Sequence, residues 1–292
     1  MYDRILFPTD GSEAATAAFE YALEIAATHD ATVYVLNVID LPFDTPSRIR
    51  DELAETLERE GTEVVEETAA RASEWNVSVV TEIREGVPHE AIVEYAGEED
   101  MDLLVMPTHG RDGIERFLLG SVTERVVNTA PVPVLAVTPD EHEAFAYPCE
   151  DVLVPTDGSA GAGRALEEGI ALSKALDARL HLLHVVEATS LGDESGPGKT
   201  DERVEDRANE ILTEASETAE RASVGSVTRS IAHGRPYREI RSFVEEAGID
   251  VIALGVHGET DFSRYALGGV SAKLLRTSPV PLLMLRELDE TE

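Results

Sequence analysis

The chain has 292 residues, 42% of them hydrophobic, enough for two domains with real cores. It carries 24 Lys and Arg against 58 Asp and Glu, a formal net charge of −34, and a field of that sign excludes nucleic acid and anionic lipid as ordinary partners. Cys149 is the single cysteine, which excludes an internal disulfide and a cysteine metal cluster, and no apolar run approaches membrane-spanning length.

A strand pattern opens the chain at Met1 to Leu6 with no signal-peptide pattern ahead of it, so a soluble, cytoplasmic protein without membrane partners is expected. Ile5 to Ser12 reads as a short buried strand ending in turn residues. Ser12 is then the N-cap of a helix with Ala15, Ala18, Phe19, Ala22, Leu23 and Ala26 on its apolar side. Thr32 to Ile39 is a β-branched second strand, and Pro42 to Pro46 a loop. An acid-rich helix is expected from about Arg48 to Trp75, with Gly61 as a break. Val77 to Ile83 is a third strand, Gly86-Val87-Pro88 opens a short helix to about Tyr95, and Asp102 to Met106 is a fourth strand. The stretch His109 to Thr123 follows, its last residues opening a helix to about Thr129, and Val132 to Val137 is a fifth strand.

The polar segment from Pro139 to Glu150 reads as a linker, after which the pattern restarts. Val152 to Ser159 repeats the first strand and turn at six of eight positions, offset by 147. His181 to Val186 repeats the second strand, Gly192 to Gly198 is a loop, and Asp201 to Ala222 is a second acid-rich helix. Gly234-Arg235-Pro236 repeats Gly86-Val87-Pro88, and Ile249 to Leu254 and Val280 to Leu285 repeat strands four and five. Two copies of one domain, 1–140 and 150–287, follow from this periodicity. Strands alternating with helices predict an α/β fold, two tandem doubly wound domains with parallel sheets and helices on both faces. Ligands of such sheets bind beyond the carboxyl ends of the strands, where strand order reverses.

The chemistry concentrates in the stretch after the fourth strand. Glycines leaving a strand and a glycine opening a helix let backbone N–H groups approach an anion, and the helix start adds unpaired donors and a favourable dipole. Pro-Thr-Asp-Gly-Ser after strand one (Pro8 to Ser12, Pro155 to Ser159), paired with Gly-x2-Gly-x9-Gly-Ser/Thr after strand four, resembles the universal stress protein family over essentially the whole chain. The resemblance implies a five-stranded parallel sheet in the order 3-2-1-4-5 in each domain. It implies ATP or a related adenine nucleotide, with or without Mg²⁺, between strands one and four, and dimerisation through strand five. The acid excess and the scarcity of lysine (Lys174, Lys199 and Lys273 only) resemble the proteins of salt-loving archaea, where salt screens self-repulsion.

Carried over residue by residue, the first site comprises Pro8, Thr9, Asp10, Val38, Met106, His109, Gly110, Gly120, Ser121, Val122 and Thr123. The second comprises Pro155, Thr156, Asp157, Val185, Leu254, Gly255, His257, Gly258, Gly268, Gly269, Val270 and Ser271. Asp10 and Asp157 match the nucleotide-contacting aspartate of the family, and Asp in such a turn also bonds its own backbone. Val38 and Val185 match positions whose backbone reads adenine in that family, or are simply buried strand residues. In the first copy the leading glycine of the motif falls on Pro107, which has no N–H and adds a ring where close approach is wanted. Ser121 and Thr123 keep hydroxyls for phosphate. The second copy keeps Gly255, Gly258 and Gly268, and exchanges the serine for Gly269, with Ser271 retaining the next hydroxyl.

His109 and His257 are open to a phosphate or ribose contact, or to capping the loop. Arg116 and Arg264 recur at one motif position, where a surface salt bridge competes with a phosphate contact. The histidine spacing suits no metal site. The Walker signature and the Gly-x-Ser-x-Gly elbow are absent, so no catalytic residues are assigned. Three readings stand at this point: a regulatory ATP-binding stress-response protein, a non-binding interaction module of the same fold, and a slow ATPase. The apolar strand-five edges, Pro131 to Leu135 and Pro279 to Leu283, are expected to pair with each other or between chains as a homodimer.

Overall fold

Both halves of the chain fold from one alternation of short apolar strands and amphipathic helices. The computed structural model describes residues 1–41, 47–109, 119–138, 147–187, 199–258 and 267–287, and of 47–49 and 199–201 the backbone alone. Two units result, Met1–Pro148 and Cys149–Glu292. The first runs β1 (Arg4–Pro8), α1 (Glu13–His29), β2 (Thr32–Ile39), α2 (Ser47–Arg71), a 3₁₀ turn at Ala72–Glu74, β3 (Ser78–Glu85), α3 (Pro88–Glu98), β4 (Leu103–Pro107), α4 (Ser121–Thr129) and β5 (Val134–Val137). The second runs β6 (Asp151–Pro155), α5 (Ala160–Leu176), β7 (Arg179–Val186), α6 (Lys199–Arg221), β8 (Val227–His233), α7 (Pro236–Ala247), β9 (Val251–Gly255), α8 (Gly269–Thr277) and β10 (Leu282–Leu285).

Within the first unit the strands lie in the order β3-β2-β1-β4-β5, every pairing parallel. Within the second they lie in the order β8-β7-β6-β9-β10, again parallel throughout. Successive strand residues point to opposite faces. In β4, β5, β6, β9 and β10 every residue is buried, so helices cover both faces of those strands.

The caps follow the sequence. Ser12 accepts the Ala15 N–H at 3.1 Å and Ser159 accepts that of Ala162 at 3.2 Å, while Asp30 and Asp177, at φ 56° and 55°, end α1 and α5 in the left-handed region. Pro88 and Pro236 open α3 and α7, where a missing N–H costs nothing. Gly61 does not break α2. A Cβ there would stand 2.7 Å from Asn37 Oδ1, so the glycine lets the helix close on the end of β2. Strands five begin two residues later than expected, after Pro133 and Pro281. The expected loops 42–46 and 192–198, and most of the linker 139–150, lie outside the described residues.

The pairing between β1 and β4 is short. Only Ile5↔Leu103 and Leu6↔Leu104 are in register, against five positions between β1 and β2. The second unit repeats this, with Val152↔Val251 and Leu153↔Ile252. At the amino ends a carboxylate clamps the strands together: Asp102 Oδ2 accepts the N–H groups of Asp3 and Arg4 at 2.8 and 2.9 Å. Asp250 Oδ2 does the same for Glu150 and Asp151. Each strand pair is therefore fastened at one end and parted at the other.

Two predictions follow from these contacts. Asp102→Ala removes two charge-assisted hydrogen bonds and should lower the unfolding free energy by about 2 kcal/mol, read by denaturant titration, with Asp102→Asn losing less. His29, whose Nε2 lies 2.6 Å from the Tyr147 hydroxyl, has its pKa lowered from the ordinary 6.5, first by burial and then by the terminal ammonium, against the opposing pull of Asp3. The folded state then holds fewer protons than the unfolded one as pH falls through 6.5. His29 contributes stability above that pH and loses it below. His29→Gln should therefore show a shallower fall in Tm between pH 7.5 and 5.5 than the unaltered protein.

Candidate functional site

Where β1 and β4 part, a cavity of about 420 Å³ opens. One wall is the turn after β1, where Thr9 Oγ1 accepts the Gly11 N–H at 3.2 Å and Asp10 Oδ1 accepts the Ser12 N–H at 2.9 Å. Asn37 Nδ2 props this turn from β2 by donating to the Thr9 carbonyl at 2.8 Å. The equivalent cavity of the second unit measures about 450 Å³. There Asp157 Oδ1 accepts the Ser159 N–H at 2.9 Å, and His184 Nδ1 lies 2.8 Å from the Thr156 carbonyl in the place of Asn37. Asp10 and Asp157 thus serve their own turns while lining the cavities.

The facing wall is the start of α4 or α8. Gly120 donates its N–H to the Thr108 carbonyl at 2.7 Å, and the Thr123 hydroxyl donates to the Pro107 carbonyl at 2.8 Å. Gly268 and Ser271 repeat both bonds, to Val256 at 3.0 Å and Gly255 at 2.8 Å. These bonds fix each helix start against the end of its strand. The hydroxyls of Thr123 and Ser271, expected at a phosphate, give their protons to these carbonyls instead. Among the described residues no side chain caps α4 or α8, in contrast to Ser12 and Ser159 on α1 and α5. The first-turn N–H groups of α4 and α8 therefore lack a capping side chain and sit in the cavity wall at Ser121 to Thr123 and Gly269 to Ser271, with a partial positive charge. An anion fits there.

The other expected residues divide as follows. Pro8, Thr9, Val38, Met106, His109 and Gly120 to Thr123 line the first cavity, and Gly110 and Arg116 lie outside the described residues. Pro155, Thr156, Val185, Leu254, Gly255, His257, Gly258 and Gly269 to Ser271 line the second. Gly268, the residue before Gly269 at the start of α8, is not itself among the lining residues, and Arg264 is outside the described residues. His109 Nδ1 stands 3.3 Å from the Thr108 hydroxyl, whereas His257 Nε2 is buried without a partner among the described residues. Among the described residues no group of three His, Cys, Asp or Glu side chains is placed to hold a metal ion, and no helix is long and apolar enough to cross a membrane.

The universal stress protein family matches this chain twice, over residues 1–138 and 149–286. The chain belongs to the universal stress protein family. A universal stress protein of Methanocaldococcus jannaschii is 44% identical over 146 residues, 49% of this chain and 86% of that protein. One of Methanothermobacter thermautotrophicus is 38% identical over 136 residues, 45% of this chain and 92% of that protein. Among solved structures, a universal stress protein of Archaeoglobus fulgidus aligns with a TM-score of 0.73 and 26% identity, covering 97% of this chain and 98% of that one.

Within this universal stress protein the leading glycine of the second motif has a packing role. A Cβ on Gly255 would stand 2.7 Å from the Gly161 carbonyl carbon, and one on Gly161 would stand 2.5 Å from the His257 carbonyl oxygen. The two glycines let the start of α5 touch the end of β9, and the same positions of the first copy are Ala14 and Pro107. Several lining residues escaped the sequence reading: Asn37, the apolar pair Pro88 and Ile92, its counterpart Pro236 and Ile240, and Glu187 and Lys273. The recurrence of Gly86-Val87-Pro88 as Gly234-Arg235-Pro236 was the available signal, since the helices it opens supply those apolar pairs.

These contacts separate two neighbouring glycines. Gly255→Ala should cost about 1–3 kcal/mol by thermal unfolding in the absence of any ligand. Gly269→Ala, where a Cβ meets nothing within 4 Å, should leave Tm unchanged or slightly raised.

Proposed function

We propose that this chain is a cytoplasmic, regulatory stress-response protein that binds ATP or a related adenine nucleotide in domains 1–140 and 150–287, without dedicated catalysis. The observation that carries this reading is the uncapped start of α4 or α8 opening into a cavity at the parted ends of β1 and β4, or β6 and β9. The phosphates take the first-turn N–H groups, where the dipole favours negative charge. Val38 and Val185, at the ends of the second strands, offer backbone groups to the base. Asp10 and Asp157 lie on the β1 or β6 side, apart from the helix start, which suits a ribose better than a phosphate. Pro88 and Ile92, or Pro236 and Ile240, give the flat base an apolar wall. Mg²⁺ arrives with the phosphates in this reading. The same reading assigns assembly to the strand-five segments 131–135 and 279–283, and assigns the acid excess to life in high salt.

Gly120→Asp with Gly268→Asp tests it. Aspartate is a good N-cap, so it keeps the helix start folded while taking up its N–H groups and placing a carboxylate where the phosphate belongs. At Gly120 the new Cβ would be no closer than 3.4 Å to its neighbours. Calorimetry with ATP and Mg²⁺ in high salt should show binding to the unaltered protein and its loss from the variant at unchanged Tm. Equal binding by both removes the site assignment, and an unaltered protein silent to ATP returns the chain to the interaction-module reading.

A further inference from the structure

The two cavities share a frame and differ in charge at one lip. Lys273, on the second turn of α8, lines the second cavity, and its Nζ lies 4.8 Å from the centroid of the Tyr237 ring. Tyr237 stands in the first turn of α7, where Arg238 Nε donates to its hydroxyl at 2.9 Å. Hydrogen bonds from Arg238, and in smaller measure from Arg235, lower the Tyr237 pKa. Two cationic side chains, Lys273 and Arg238, therefore flank one aromatic ring in a chain whose net charge is −34. In the same cavity wall lies His257, whose buried Nε2 has no partner among the described residues. The carboxylates of the wall, Asp157 and Glu187, follow β6 and β7, whereas Lys273 belongs to α8, with Arg238 of α7 beside the Tyr237 ring rather than in the wall.

The first unit lacks this lip. Val87, His89 and Glu90 stand at the positions of Arg235, Tyr237 and Arg238, and His89 Nε2 lies 4.0 Å from Glu90 Oε1. Arg125, at the position of Lys273, does not line the first cavity, and among its described lining residues there is no lysine or arginine, whereas Lys273 itself lines the second. A ring under the ammonium restrains the long Lys273 side chain, and guanidinium groups pair well with phosphate oxygens.

We infer that the second unit selects ligands carrying a chain of phosphates, with Lys273 in the wall and Arg238 beside the same ring taking the outer phosphates, while the first unit does not distinguish nucleotides by phosphate number. The base-binding half of this inference rests on the adenine-nucleotide reading above; the preference for a phosphate chain does not.

Photolabelling of the full chain with 8-azido-ATP and 8-azido-AMP, read peptide by peptide, assigns each ligand to a unit. In the second unit 8-azido-ATP should half-saturate at a concentration roughly tenfold below that of 8-azido-AMP, and in the first unit the two should agree. Lys273→Met with Arg238→Gln should bring the second unit's ATP figure to the AMP figure, leaving AMP labelling there and all labelling of the first unit unchanged; Lys273→Arg should retain the preference. Equal half-saturation by both probes in the unaltered second unit overturns the inference, as does a variant that weakens ATP and AMP alike. Inorganic tripolyphosphate separates the two readings, because it should raise Tm in the unaltered protein and not in the double variant. If it does so while neither azido-nucleotide labels either unit, the lip stands and the adenine reading falls. If tripolyphosphate also has no effect, both fall.

Discussion

The parting of β1 from β4 is the constraint on which the site depends. Parallel strands held along their whole length leave no crevice, and strands held nowhere leave no frame. Here the Asp102 carboxylate fastens the amino ends through two backbone N–H groups, and register ends after Leu6 and Leu104. Beyond that point β1 turns through Thr9 and Asp10 toward α1, while β4 leads toward α4. The opening is thus a consequence of topology: strand order reverses between these two strands, so their connections leave in opposite directions. Asp250 and the pair Leu153 and Ile252 reproduce the arrangement in the second unit.

A strongly acidic chain faces a difficulty in binding an anion, since its own field repels the ligand. The geometry answers with local donors. Backbone N–H groups at a helix start carry partial charge over a few ångströms and add no ionised group to the surface. Gly120 and Gly268 matter here less for backbone freedom than for having no side chain with which to cap their helices. A serine in either place, as at Ser12 or Ser159, would take up the donors that the proposed phosphate site leaves open.

Much of this was legible in the sequence because it is local. Turn residues, N-caps, buried runs and the 147-residue repeat depend on near neighbours, and they located the strands, the two units and most of the residues that line each cavity. What was not legible depends on distant partners. Gly61 reads as a helix breaker until Asn37 is seen against it, and Gly255 reads as a phosphate glycine until Gly161 is seen to occupy its Cβ position. The hydroxyls of Thr123 and Ser271 read as phosphate donors until the carbonyls of Pro107 and Gly255 are found beneath them. Lys273 and Tyr237 are 36 residues apart in sequence, and neither carries a signal of the other.

The same distinction explains where the duplicate units have diverged. Thr9 and Thr156, Asp10 and Asp157, Ser12 and Ser159, and Asp102 and Asp250 each hold backbone groups, so replacing one strands a donor or acceptor at a cost of about 1–3 kcal/mol. Thr123 has become Ser271, and Asn37 has become His184, without loss of the bond each makes. Arg235, Arg238 and Lys273 are exposed, and exchanges at such positions usually change stability by no more than about 0.5 kcal/mol. The lip can therefore acquire or lose charge while the frame stays fixed. Two copies bound to one backbone geometry can differ in the ligands they admit only at positions the frame does not use, and the cations around Tyr237 occupy such positions.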